Sequence, residues 1–194
     1  MRRGFMYNRE ELLNIVGSAL SEKRFRHTLG VEKMAINLAM VYDEDREKAS
    51  VAALLHDYAK ELPKPFLLKK AAESGIEMDP VYISSPGLLH GPVGAVLVRE
   101  RFGIEDEDIL NAITYHTVGR VGMSKLEKII YLADITEENR VFDDVERIRE
   151  KQMQGLDEGL LESLRQTIVF TVERGLMVHH NSIDLYNSIL EKRG

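Results

Sequence analysis

His56 and Asp57 stand side by side in the run AALLHDYAKEL. A vicinal His-Asp pair offers an imidazole nitrogen and a carboxylate oxygen to one divalent cation. His27 precedes the pair, and His90, His116 and Asp134 follow it. The order His … His-Asp … His … His … Asp runs through one stretch of apolar-periodic sequence and amounts to a ligand set for two adjacent metal ions. The chain has no cysteine, so any metal is held by nitrogen and oxygen, and disulfide or zinc-finger frameworks are excluded.

The elements that must position these residues read as helices almost throughout. Asn8 with Glu11 predicts a capped helix to about Leu20. A second helix runs from Ser21 or Lys23 to Tyr42, with His27 one turn before Val31 on its apolar stripe. Asp45 caps a third, to about Glu61, that carries His56 beside Ala49, Ala52 and Ala53; Pro63 and Pro65 end it. A short helix over 65–74 stops at Gly75. The segment 75–90 is turn-rich and reads as a loop or lid. Helices are predicted over 92–102 and from Asp106, where Ile109, Ala112, Ile113 and His116 share one face. Ser124 and Glu127 form a capping-box pattern before LEKIIYLADI, in which Ile130 and Asp134 are one turn apart. The charged stretch 136–152 reads as a mobile connection, and helices over 157–178 and 182–192 close the chain. The class is all-α, a helical bundle in a single domain over 1–194. Its metal and substrate site falls within about 24–145, and the helices of 157–192 pack on it.

A single histidine on an apolar helix face is ordinarily a packed, hydrogen-bonded core residue. Three helices each aiming one inward are a different case. Asp57 and Asp134 also lie on apolar helices, where an unpaired charge is costly to bury, and a metal pair resolves that cost for all of them together. His179 and His180 follow a helix end without an inward pattern and read as surface residues.

The motifs RFRHTLGV, AALLHDYAKELP, LLHGPVGA, AITYHTVGR and LEKIIYLADITEENR resemble those of the HD-domain metal-dependent phosphohydrolases. Within them the chain is similar to the YqeK family of symmetrical diadenosine tetraphosphate hydrolases. The resemblance covers about residues 8–145, and HNSIDLYNSIL fits the family's C-terminal helix. Glu138 departs from it, standing where a proline is expected before Asn-Arg.

The resemblance implies an HD helical bundle with two metal sites. His27, His56, Asp57 and Asp134 would hold one ion; His90 and His116 would hold the second, with Asp57 bridging. Nitrogen and oxygen donors suit iron, manganese, nickel, cobalt or zinc better than magnesium, and the resemblance favours two iron ions. Such a site activates water at neutral pH, and phosphoryl transfer otherwise depends on positioning and electrostatics. Asp57, Lys60, Arg120 and Arg140 are therefore the candidate catalytic residues. Lys60, Thr117, Gly119, Arg120 and Arg140 are the candidate substrate contacts. Lys60 follows Asp57 by three residues, Arg120 follows His116 across a turn containing Gly119, and Arg140 lies beyond the end of the Asp134 helix. The bland reading of Lys60 and Arg140 is a solvated charge, and Lys125 and Lys128 read as helix surface.

The net charge of −6 argues against a nucleic-acid surface but leaves room for a small anion at a locally cationic site. No run approaches the roughly 20 apolar residues that span a bilayer, and the first sixteen residues lack the apolar core of a secretory leader. The expectation is a cytoplasmic protein acting on a dinucleoside polyphosphate or nucleotide, without nucleic-acid or membrane partners; a homodimer is left open. Three functions stand against one another. The first is symmetrical hydrolysis of diadenosine tetraphosphate to two ADP. The second is another HD hydrolase acting on nucleoside monophosphates or cyclic nucleotides, set apart by the length of phosphate chain its cations can cover. The third is a non-catalytic nucleotide sensor, which would be expected to have lost ligands. No aromatic pair stands out as a base clamp; Tyr82 and Tyr186 are the candidates.

Overall fold

A computed structural model describes residues 8–193. The first seven, on which the reading against a leader partly bears, lie outside them. Eleven α-helices follow one another: α1 (Arg9–Ala19), α2 (Glu22–Val41), α3 (Arg46–Leu55), α4 (Lys64–Glu73), α5 (Pro80–Ser84), α6 (His90–Phe102), α7 (Glu107–Tyr115), α8 (Lys125–Thr136), α9 (Val145–Gln154), α10 (Leu156–Glu173) and α11 (His180–Glu191). No strand occurs among the described residues. The all-α bundle is as expected.

The capping residues do what their chemistry predicts. Asn8, Ser21, Asp45 and Asp106 each accept backbone N–H groups that the first helical turn leaves free. Ser124 and Glu127 complete a capping box. Gly103, at φ 64°, ends α6 in the left-handed region.

Helices α2, α3 and α8 contact one another around the buried middle of the chain, α7 packs on α3 and α8, and α6 packs on α7. Leu38, Leu54, Leu55, Ile113, Ile129 and Ile130 are essentially inaccessible there. Each contributes about 1.5–3 kcal/mol by leaving water. Fully buried Ala52, Ala53 and Ala59 let the helices come close, so polar side chains projecting from them meet over short distances.

Four expectations are corrected. The segment 75–90 is not a bare loop: Asp79 caps α5, and Pro86–Leu89 is a 3-10 turn leading into His90. The stretch 136–152 is not a loose connection. Val145 and Ile148 of α9 are buried, and Arg149 donates to the carbonyls of Thr136, Glu137 and Arg140. The third helix stops at Leu55, six residues short of the expected end, because His56–Glu61 turn more tightly, with i to i+3 bonds such as Lys60 N to Asp57 O at 2.9 Å. His179 is no surface residue; it is 5% exposed, caps α11 and lies 3.0 Å from Asp79. His180 is exposed as expected.

Gly91 sets the separation of α6 and α7. A Cβ there would lie 2.6 Å from the Thr114 carbonyl oxygen, which belongs to backbone and has little room to retreat. Gly91→Ala is expected to lower stability by about 1–3 kcal/mol through overpacking, measured by urea denaturation. An unchanged midpoint would mean that the two helices separate freely.

Candidate metal centre

Each proposed ligand is delivered by a particular feature of the helices. His27 and Asp134 project from within α2 and α8. His56 and His116 are the residues that close α3 and α7, and His90 opens α6. The C-terminal ends of α3 and α7 leave carbonyl oxygens without intrahelical donors, and the histidines there turn back to them, while His90 turns back to the 3-10 turn before it. His56 Nδ1 lies 2.6 Å from Ala53 O, His90 Nδ1 2.6 Å from Gly87 O and His116 Nδ1 2.7 Å from Ile113 O. In each case the carbonyl is three residues back. A carbonyl only accepts, so Nδ1 carries the proton and the Nε2 lone pair is left to face inward, the arrangement that readies a histidine for a metal.

His27 is tied differently. Its Nδ1 lies 3.1 Å from Glu137 Oε1, and Glu137 is itself held by Asn139, through N at 2.7 Å and Nδ2 at 2.9 Å. Gly30, one turn after His27, makes room for that carboxylate: a Cβ on it would collide with Glu137 Oε2.

The inward nitrogens meet the two oxygens of Asp57 in two groups. Asp57 Oδ2 is 3.8 Å from His27 Nε2 and 3.4 Å from His56 Nε2. Asp134 Oδ1 closes that group, at 3.0 and 3.9 Å from the same nitrogens. Asp57 Oδ1 is 3.1 Å from His90 Nε2 and 3.7 Å from His116 Nε2. One carboxylate thus turns one oxygen to each imidazole set, as a bridging ligand must.

The donor set fits divalent metal ions. His27 Nε2 and His56 Nε2 are buried without a hydrogen-bond partner among the described residues, a costly state for a polar atom. His90 Nε2 and His116 Nε2 lie 2.9 Å apart, and with both Nδ1 atoms protonated the two lone pairs face one another, an arrangement that a cation beside them relieves. Two nitrogens each about 2.0–2.1 Å from one ion and at right angles around it would be separated by about 3 Å.

Charge at the centre follows the same logic. Burial opposes ionisation of Asp57, but the imidazoles of His56, His116 and His90 gathered around it outweigh it and hold the carboxyl well below the usual carboxylate range. Asp134 is held low in the same way, by His27, His56 and Arg140 against burial. Burial pushes His90 down to about 4, with His116 and Lys60 adding to it and Asp57 opposing, so its imidazole is neutral at pH 7. Burial also disfavours charge on His56, yet the two aspartates overcome it and raise this group. The cluster calls for positive charge at its middle.

Cationic side chains reach the cluster from three sides. Arg140 Nη2 is 2.6 Å from Asp134 Oδ1, and Lys60 Nζ is 3.3 Å from His90 Nε2. Arg24, absent from the residues expected on sequence grounds, places Nη1 2.8 Å from Asp57 Oδ2. Its signal was its place three residues before His27 on one helix face. Glu137 was missed too, though it follows Asp134 at the same interval. Thr117 lies beside the cluster and lines cavities at its edge.

Arg120 and Gly119 are not brought there. Arg120 makes a two-pronged pair with Glu127, at 2.7 Å for each bond, and covers the Tyr115 ring. The buried capping-box carboxylate on α8 outcompetes a loosely held role near His116. Gly119 turns the chain at φ 67°, and a Cβ there would lie 2.5 Å from Leu185 Cδ2. Glu138, at the departure from the family motif, is exposed and pairs with Lys33 at 2.5 Å, away from every proposed ligand. Tyr82 is buried against the His179 ring, Tyr186 is partly buried against the core, and neither lines the cavities beside the cluster.

Two variants test this geometry. Asp57→Asn should cost both ions, and Glu137→Gln should weaken one of the two by about 10–100-fold, the usual effect of removing a carboxylate behind a histidine ligand. Titration followed by elemental analysis measures both. Two ions retained by Asp57→Asn would contradict the bridge.

The family model described as HD domain matches residues 24–139 of this chain. A protein of Halalkalibacterium halodurans named symmetrical bis(5'-nucleosyl)-tetraphosphatase is 42% identical over 94% of this chain and 97% of its own length. One of the same name from Bacillus subtilis is 43% identical over 93% and 96%. A crystal structure from Clostridium acetobutylicum, described as a predicted HD superfamily hydrolase involved in NAD metabolism, superposes with a TM-score of 0.93. It is 41% identical, covering 96% of this chain and 99% of that one. The motif match and the similarity along nearly the whole chain agree, and the chain belongs to the HD domain family.

Proposed function

We propose that this protein hydrolyses diadenosine tetraphosphate symmetrically to two ADP, using two divalent ions held by His27, His56, Asp57, His90, His116 and Asp134. The observation that carries the reading is Asp57, whose two oxygens each face a separate set of imidazole nitrogens. The similarity to proteins named for that activity gives the substrate. Iron is the ion assigned, on the family resemblance and on a donor set of imidazole and carboxylate. The two ions would supply Lewis acidity that activates water and neutralises phosphoryl charge.

The chain's own residues do the rest. Asp57 and Asp134 stay ionised, so neither takes a proton from water by way of a raised carboxylate pKa. Arg24, Lys60 and Arg140 already stand at the carboxylates and imidazoles of the cluster. Their heads can turn to phosphate oxygens once the cluster carries its ions, and guanidinium groups suit the two oxygens of a phosphate. In the net reaction one water oxygen bonds to a central phosphorus, the bond from that phosphorus to the central bridging oxygen breaks, and a second ADP leaves. Cations on several sides of the cluster favour a long phosphate chain over a monophosphate.

In isotopically labelled water, diadenosine tetraphosphate should yield ADP as the only nucleotide product, with one labelled terminal phosphate per turnover. AMP plus ATP would mean asymmetric attack and would sink the reading, as would activity that survives removal of metal by a chelator. The arginines separate by role. Arg140→Ala should lower kcat/KM by about 10–1,000-fold with little change in Tm, since charge-assisted contacts are lost at the transition state. Arg120→Ala should instead lower stability by about 1–3 kcal/mol, because it strips the buried Glu127 of its partner. Thermal melts and steady-state kinetics on both variants decide the matter.

A further inference from the structure

Three cavities open around the cluster, and their walls differ in kind. One, of about 410 Å³, is lined only by polar side chains, among them Lys23, Arg24, Arg26 and Arg140. The second, of about 540 Å³, reaches His116, Asp134 and Arg140 and is walled by Tyr131, Phe142 and Phe170. The third, of about 470 Å³, runs from Lys60 past Thr117 to Leu176, Met177 and His179. The second and third meet, sharing Thr117 and Thr167. Both have the size of small-molecule sites and the apolar walls that a nucleobase needs.

The third cavity holds two orphaned polar atoms. Thr117 Oγ1 and His179 Nε2 are buried without a hydrogen-bond partner among the described residues. Asp79 Oδ2 lies 3.0 Å from that nitrogen, yet the ring makes no hydrogen bond to it. His179 Nδ1 accepts from Asn181 N at 3.2 Å, which leaves the ring proton of a neutral imidazole on Nε2. Burial pushes this histidine down, against the pull of Asp79, which favours that neutral form. The ring therefore keeps its proton on Nε2, on the side of Asp79, behind the cavity wall that His179 helps to form. The second cavity offers the opposite chemistry, with two phenylalanine rings on its wall. Phe170 is about half exposed and lies under the Arg174 guanidinium, 3.6 Å from its carbon.

We infer that these two cavities take the two nucleoside ends of one dinucleoside polyphosphate. One base lies against Phe142 and Phe170, and the other end lies in the third cavity, between Thr117, Leu176 and His179. The phosphate chain crosses the cluster where the cavities meet, and the all-polar cavity receives no base. The inference rests on the hydrolase reading above. It also has a consequence that reading lacks: a substrate with two identical halves is held by two unlike arms.

The test is calorimetric titration of ADP into the manganese-loaded protein. Two ADP per chain are expected, with unequal affinities. Phe170→Ala should weaken one of them by about 5–100-fold, the range of lost base stacking, and leave the other unchanged. Thr171→Trp, which fills the third cavity from its wall, should remove the other class and spare the first. Leu176→Trp, at an exposed position on the same wall, should do likewise and serves if Thr171→Trp lowers Tm. Pyrophosphate should bind all variants as it binds the parent protein. One ADP per chain, or one class hit by both kinds of variant, would overturn the two-arm placement. Failure to cleave diadenosine tetraphosphate would overturn the hydrolase reading, whereas cleavage with a single bound ADP would overturn only the placement.

Discussion

Asp57 is 2% exposed and ionised, and an ionised carboxylate leaves water only at a cost of several kcal/mol unless positive charge and hydrogen bonds meet it. Most of the surrounding structure answers that constraint. Four imidazoles and the Arg24 guanidinium lie within 4 Å of its two oxygens. The helices that carry them are held by a core of leucine, isoleucine and alanine whose side chains have no polar atoms. The apolar packing therefore supplies the free energy that holds the polar centre together. The polar centre in turn restricts how the helices can be arranged, since sliding any one of them by a turn would leave a buried charge unmatched.

The placement of the ligands at helix ends is the second organising feature. An imidazole inside a helix has no free backbone carbonyl in reach, because those oxygens are already bonded to N–H groups one turn on. The last turns of α3 and α7 leave such carbonyls, and the 3-10 turn before α6 offers the Gly87 carbonyl, which also accepts the His90 N–H. His56, His90 and His116 each use one to fix the tautomer that leaves Nε2 bare. His27, within α2, finds Glu137 instead, and the glycine at position 30 is what admits it. Short i to i+3 turns after Leu55 and before His90 cost some hydrogen-bond quality and provide, in exchange, the directions that a continuous helix could not.

The segments on either side of the cluster are more ordered than their composition suggests. Proline, glycine and serine in 75–90 mark caps and a 3-10 turn, and charged side chains of 136–152 hold backbone carbonyls, as Arg149 does for three of them. Both segments border the cavities beside the metal cluster. Their order means that the floor and walls of these cavities exist before any ligand arrives, which lowers the entropy that binding must overcome.

The all-α class, the capped helix starts and the six ligand-type residues were legible in the sequence, because each depends on local rules: 3.6-residue periodicity, side-chain capping and the cost of burying a lone charge on an apolar face. The chemistry of the centre was legible for the same reason, since imidazoles and carboxylates aimed inward from several apolar helices call for a cation between them. What the sequence could not decide was which polar residues close the long distances. Arg24 and Glu137 join the cluster and Arg120 leaves it, although each of the three lies within four residues of a proposed ligand in sequence. The outcome turns on whether a buried Glu127 or an open site claims the guanidinium. His179 shows the same limit. Without an inward pattern of its own it reads as surface, and only the meeting of α5 with the start of α11 buries it on a cavity wall. Periodicity determines which face of a helix is apolar; which neighbour that face meets, and so which polar atoms are left without partners, is a property of the packed whole.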